Sequence, residues 1–146
     1  MTRYVTRKVD IEDRLVLETL AAMNRECFSR AEWCGRIRPD RGDWWIVTCD
    51  GKEAAYAGMV PSVRFHRAGY LIAAAVLPAY RGHGLHKRLV KARIKQARAY
   101  GWTQLFTETI NDNAHSANNL IECGFRQFKP DTPWGSPYAV YWRLKL

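Results

Sequence analysis

Four cysteines occur in the chain and no two of them form a Cys-x-x-Cys pair or a metal-finger spacing. A disulfide framework or a zinc-stapled fold is therefore not expected. Cys27, Cys49 and Cys123 lie in apolar patterns and read as buried reduced thiols. His83 and His86 are close in sequence, but no cysteine or carboxylate accompanies them, so no metal is expected. No apolar run approaches the ~20 residues a membrane-spanning helix needs. The opening MTRYVTRKVDIED lacks the apolar core of a secretory leader. These absences predict a soluble cytoplasmic protein with no membrane partner. Repeats, linkers and low-complexity segments are also lacking, which predicts one domain over residues 1–146. Acidic residues are the scarce charge: 14 Asp and Glu stand against 23 Lys and Arg, a net charge of +9. Such a balance attracts nucleic acid, acidic surfaces or phosphorylated small molecules.

What is present suits a packed core. Hydrophobic residues make up 47% of the 146 positions and aromatics 12%. A chain of this length buries roughly 68–70% of its unfolded surface. RYVTRKV alternates as a strand over 3–9. Asp10 is a good helix N-cap, and Ile11, Leu15, Leu20, Met23 and Cys27 continue at helical spacing to about Phe28. SRAEWCGRIRPDRGD reads as an irregular loop. WWIVTCD and EAAYAGMV flank Asp50-Gly51, a hairpin signal, and Pro61 ends the second strand. YLIAAAVL is unbroken apolar, as expected of a central strand covered on both faces. A helix over about 84–100, closed by Gly101, is followed by a strand in WTQLFTET and a helix over about 113–123 stopped by Gly124. FRQF and PYAVYWRLKL form two closing strands. The segment 70–109 must be a right-handed parallel crossover, while the neighbouring hairpins are antiparallel. The expected fold is α/β (α+β): a mixed, mostly antiparallel sheet of about six or seven strands with helices on both faces.

The densest signal is YRGHGLHK, where the central strand gives way to a helix. The first turn of a helix has four N–H groups without intrahelical partners, and with the dipole they attract an anion. Gly82 and Gly84 remove side chains where a phosphate would approach the backbone. Arg81 and Lys87 flank the turn, and Lys87, Lys91, Lys95 and Arg98 share one side of the helix. A lone Gly-x-Gly more often marks an ordinary helix start with a solvated basic face. It is not a P-loop, since Gly-x-x-x-x-Gly-Lys-[Ser/Thr] is absent, nor the dinucleotide fingerprint, whose third glycine is missing and whose strand would not come mid-chain after a hairpin.

Two motifs together are more specific. Arg81-Gly82-His83-Gly84-Leu85-His86, preceded by AVLPAY, and NAHSANNLIECGF, with Asn113, Ser116, Gly124 and Phe125, resemble the signatures of the GNAT superfamily of N-acyltransferases. The element order resembles that family over essentially the whole chain. The resemblance implies a central parallel pair splayed apart, and acetyl-CoA or another acyl-CoA as co-substrate. It implies that backbone N–H groups of His83, Gly84, Leu85, His86 and Lys87 cradle the pyrophosphate. Ala75, Val76 and Leu77, at the end of the preceding strand, fall beside the pantetheine arm, and Asn113 and Ser116 touch it from the other side. His86 stands where the family pattern has Gly or Ala.

Acyl transfer needs a neutral amine, a donor for the oxyanion and a proton donor for the leaving thiolate. A backbone N–H near Ala75 would serve the oxyanion. Many family members carry a tyrosine four residues before the Gly-Phe pair; this chain has Leu120. Ser116, one turn earlier, is the candidate substitute, with Tyr80 and Tyr138 lacking positional support. The strand before the glycine turn offers only alanines, so Glu108 is the candidate base. Cys123 looks packed and not nucleophilic. Direct attack by an amine in a ternary complex is the expected reaction. The acceptor-side segments SRAEWCGRIRPDRGDWW, SVRFHRAG and DTPWGSPY are rich in Arg and Trp, which suits an acidic, flat or nucleotide-containing acceptor; exposed arginines around partly buried Trp33, Trp44 and Trp134 are the plainer alternative. A homodimer is left open. The rival expectation is a GNAT-fold module that binds CoA or nucleic acid without transfer, kept alive by the missing tyrosine and the alanine-only strand.

Overall fold

Alternation and turn chemistry generate the first hairpins. In the computed structural model, which describes residues 1–28 and 39–146, β1 (Tyr4–Val9) pairs antiparallel with β2 (Asp43–Cys49). β2 then turns into β3 (Lys52–Pro61) through Asp50 and Gly51, both at positive φ as a tight two-residue turn requires. β4 (Ala68–Val76) follows antiparallel to β3. β5 (Gln104–Ile110) lies parallel to β4, β7 (Ala139–Lys145) is antiparallel to β5, and β6 (Arg126–Phe128) forms the far edge beyond β7. One seven-stranded sheet results, in the order β1-β2-β3-β4-β5-β7-β6. The single parallel pair is the expected crossover, made by α2 (Leu85–Ala99). That β7 inserts between β5 and β6 was not readable from the order of the chain.

Helices cover both faces. α1 (Arg14–Cys27) lays Leu20 and Met23 on Trp44, Ile46 and Tyr56. On the other face α2 sets Leu89, Val90, Ile94 and Ala97 against Val47, Ala57, Met59, Leu71 and Leu105. α3 (Ala114–Glu122) joins this second core through Leu120. The start of α1 differs from expectation. Asp13, not Asp10, is the N-cap and accepts from the Leu15 N–H, because Asp10 folds a preceding turn by accepting from the Glu12 N–H. Of the thiols, Cys49 is buried, while Cys27 and Cys123 are only half-buried; all three are free. Cys34, Trp33 and most of the expected acceptor loop lie outside the described residues.

Two irregularities shape the middle of the sheet. Between Ala57↔Ala74 and Gly58↔Ile72, β4 carries one extra residue, Ala73, at φ 34. A bulge shifts the inside–outside alternation by one: Ile72 packs on the α1 face, and Ala75, three residues on, packs there too. The parallel pairing is also brief. Only residues 68–70 pair with 104–106. Beyond that point the two strands diverge, and the Thr107 hydroxyl donates to the Leu71 carbonyl at 3.0 Å where the ladder stops.

Candidate active site

The divergence of β4 and β5 opens a cavity of about 290 Å³ between Ile72, Ala73 and Ala74 on one side and Thr107, Glu108 and Thr109 on the other. It continues into a larger cleft of about 710 Å³ that runs past the mouth of α2 and along α3. His86, Asn113, Ser116 and Ala74 line both spaces.

The mouth of α2 carries no side-chain cap. Gly84 is the N-cap, in the left-handed region at φ 73. Gly82 is likewise at φ 83, and a Cβ on either glycine would meet open space. Glycine is thus demanded by the backbone conformation and not by crowding from the protein. The N–H groups of the first turn face no capping oxygen, so they remain for a ligand. The residues present therefore fit a pyrophosphate. Ala75, Val76, Arg81, Gly82, Gly84, Leu85, His86 and Lys87 all border this cleft, and Asn113 and Ser116 border it from α3.

Other placements refine the sequence reading. Arg81 Nε donates to the Val76 carbonyl at 3.1 Å, so a ligand bonding that carbonyl would share it. Lys87 pairs with Glu122 across the cleft; the bond raises the lysine pKa and lowers that of the carboxyl. Leu77 turns into the α1-side core, 7% exposed. The His83 ring lies 6.2 Å from that of Tyr4, away from the cleft, whereas His86 turns inward. The two histidines thus face different surroundings, and no group of metal-ligating side chains occurs among the described residues. Asn113 spends its side-chain oxygen on the Ser116 N–H as the cap of α3, leaving its NH₂ for the cleft. Tyr80 borders the cleft, and Tyr138 is exposed outside it. Burial raises the Cys123 pKa, so its thiol is a poor nucleophile.

Glu108 reaches the cavity from the face opposite α2 and α3. Its Oε1 accepts from the Tyr70 hydroxyl at 2.8 Å, and that hydroxyl accepts from Trp134 Nε1 at 3.1 Å. Burial is the main cause that drives the Tyr70 pKa up, so the phenol stays protonated as the donor in this pair. Gly135, in the Pro/Gly turn before β7, leaves space that Glu108 uses; a Cβ there would collide with Oε2. Next to this group lies a groove of about 650 Å³ with Arg64, Phe65, Lys129, Trp134 and Arg143 in its walls. Arg64 stacks on Trp134 at 4.8 Å.

Sequence reasoning missed three parts of this site. Thr107 looks like any strand threonine until the ladder is seen to end beside it. Tyr70 and Trp134 are far apart in sequence, and only the return of the chain before β7 joins them to Glu108. Arg93 is 2% exposed beneath the cavity and donates to the Gly58 and Leu89 carbonyls, at 3.1 Å each. Its position on the apolar stripe of α2 was a readable signal.

Residues 10–125 match the family model for the Acetyltransferase (GNAT) family. The chain belongs to that family. No curated protein matches it. Among solved structures, the ribosomal-protein-S18-alanine N-acetyltransferase from Escherichia coli is 17% identical, with TM-score 0.75 and coverage of 98% of this chain and 94% of that one. The IAA acetyltransferase from Bacillus cereus is 17% identical, with TM-score 0.72 over 99% and 100%. The Bacillus subtilis acetyltransferase, in complex with CoA, is 15% identical, with TM-score 0.74 over 99% of each chain. These likenesses show the GNAT fold. No helix among the described residues is long and apolar enough to cross a membrane.

Proposed function

We propose that this chain is a cytoplasmic N-acetyltransferase that moves an acetyl or acyl group from acyl-CoA to a primary amine by direct attack in a ternary complex. The observation that carries the reading is the opening between β4 and β5, continuous with the uncapped, glycine-flanked mouth of α2. That continuity would hold a diphosphate at one end and a thioester at the other. The Bacillus subtilis structure is a complex with CoA, which agrees with this use of the fold.

The chain's own residues divide the work. The first turn of α2 binds the diphosphate, with Arg81 beside it. Asn113 and Ser116 orient the arm from α3. The bulge at Ala73 redirects the following backbone, so that an N–H near Ala75 would meet the oxyanion. Glu108, held by Tyr70, takes the proton of the incoming amine from the opposite face. The groove of Arg64, Lys129 and Arg143 with its aromatic walls suits an amine carried on an acidic or flat acceptor, including a nucleotide.

Incubation with acetyl-CoA and a panel of amines, including an alanine-terminated peptide, would release free thiol with one class of acceptor. Absence of CoA binding by titration calorimetry would overturn the reading. The exposed Lys91, Lys95 and Arg98 on α2 favour a second one, a module that binds CoA or nucleic acid without transfer. A shift of DNA or RNA mobility with a steep salt dependence, and no thiol release, would establish that instead.

A further inference from the structure

His86 stands on the stripe of α2 that faces the sheet, in line with Val90, Arg93 and Ala97, all three buried. Its imidazole borders both the cavity between β4 and β5 and the cleft along α3. Its Nδ1 is buried, and no described residue bonds to it. A neutral imidazole carries one N–H and one lone pair, and a buried polar atom without a partner is unfavourable until something supplies one. The titratable groups beside the ring are Arg93, already pinned to two carbonyls, and His115 on α3. Burial, reinforced by these two, pushes the imidazole down to about 4, so it is neutral at ordinary pH. Across the same cavity Leu120, 3% exposed, presents a short apolar side chain. The wall between α2 and α3 therefore holds an imidazole nitrogen without a partner and, at position 120, no polar group.

We propose that His86 is a catalytic residue that donates a hydrogen bond to the thioester sulfur and stabilises the thiolate as it leaves. The inference rests on the acetyl-transfer reading above. In the step, the amine lone pair forms the C–N bond and the carbonyl π pair moves to oxygen. When the carbonyl re-forms, the C–S bond breaks and its electron pair stays on sulfur, where the His86 N–H meets it. The proton lost by the amine passes to Glu108. The thiolate takes one proton from water in the cleft as CoA departs, and Glu108 returns its proton to solvent, so charge and atoms balance.

The test has a kinetic arm and a binding arm. His86→Ala should lower kcat roughly a hundredfold while KM for acetyl-CoA stays within about threefold. His86→Asn, which keeps an N–H near the same place, should recover part of the loss. Adding Leu120→Tyr to His86→Ala should recover more, because a phenol enters the same cavity. In calorimetry the wild type should bind CoA several-fold more tightly than its desulfo analogue, and His86→Ala should lose that preference. Unchanged kcat in His86→Ala with a large loss in Ser116→Ala would transfer the role to the serine. A preference for the thiol that survives His86→Ala would overturn the proposal outright. If the wild type bound neither CoA nor the desulfo compound, the acetyl-transfer reading itself would fail; if it bound both equally, only the role of His86 would.

Discussion

A glycine with room around it and a glycine without room make opposite demands. Gly84 has open space for a side chain but holds φ 73, and that space is where a ligand would lie. Gly84→Trp should fold, at the cost of about 1–2 kcal/mol of backbone strain, and should lose CoA binding in calorimetry. Gly135 is the crowded case, because its missing Cβ is what lets Glu108 sit beneath the turn. Gly135→Ala should displace the carboxylate and lower turnover. Glu108→Gln should lower it far more at neutral pH than at high pH, where the free amine no longer needs a base; an equal loss across the pH–rate profile would remove Glu108 from that role. His86 makes a third demand, on stability. Its imidazole is pushed down to about 4 from 6.5 in the folded chain. Protonation is therefore disfavoured in the native state, and the stability present above pH 6.5 is lost as pH falls toward 4. Urea unfolding of wild type and His86→Ala at pH 7 and pH 4 should show about 3 kcal/mol more acid loss in the wild type.

At the level of elements, the site depends on a strand pair that stops pairing. Thr107 marks the stop, its hydroxyl on the Leu71 carbonyl in place of a ladder bond. Thr107→Val keeps the shape and leaves that carbonyl without its donor. The expected cost is about 1–3 kcal/mol in denaturant midpoints, with a fall in kcat if the separation of the strands shifts. Most elements were legible because their signals are local. The Asp50-Gly51 turn, the apolar run of β4, the glycines that open and close α2, and Gly124 at the end of α3 each announce themselves within a few residues. The bulge at Ala73 does not, since three successive alanines carry no pattern for it to interrupt. Asp10 and Asp13 are the same residue type three positions apart, and only the turn that Asp10 folds leaves the cap to Asp13.

For the whole molecule, the glycine turn was legible because backbone geometry and glycine are tightly coupled, whereas Asn113 and Ser116 were singled out only by the family resemblance. The surroundings of Glu108 were hidden because Tyr70 and the Trp134-Gly135 turn come from separate parts of the chain. Inward placement of His86 lay between these cases: the helical period of α2 puts it in line with Val90, Arg93 and Ala97, but the cavity it borders forms only in the folded chain. The surplus of positive charge divides similarly. Arg93 is structural and Lys87 is paired, while Lys91, Lys95 and Arg98 remain exposed to solution.

Because β4 and β5 share only three paired positions, the sheet consists of two plates, β1 to β4 and β5 to β6, fastened along a short seam. A molecule wedged across both plates would act as a brace. Deuterium uptake should then slow on addition of CoA in residues 71–76 and 107–110 together, while the far edges of the sheet keep their rates; slowing confined to α2 would mean that only the diphosphate end is gripped and the plates stay free to flex.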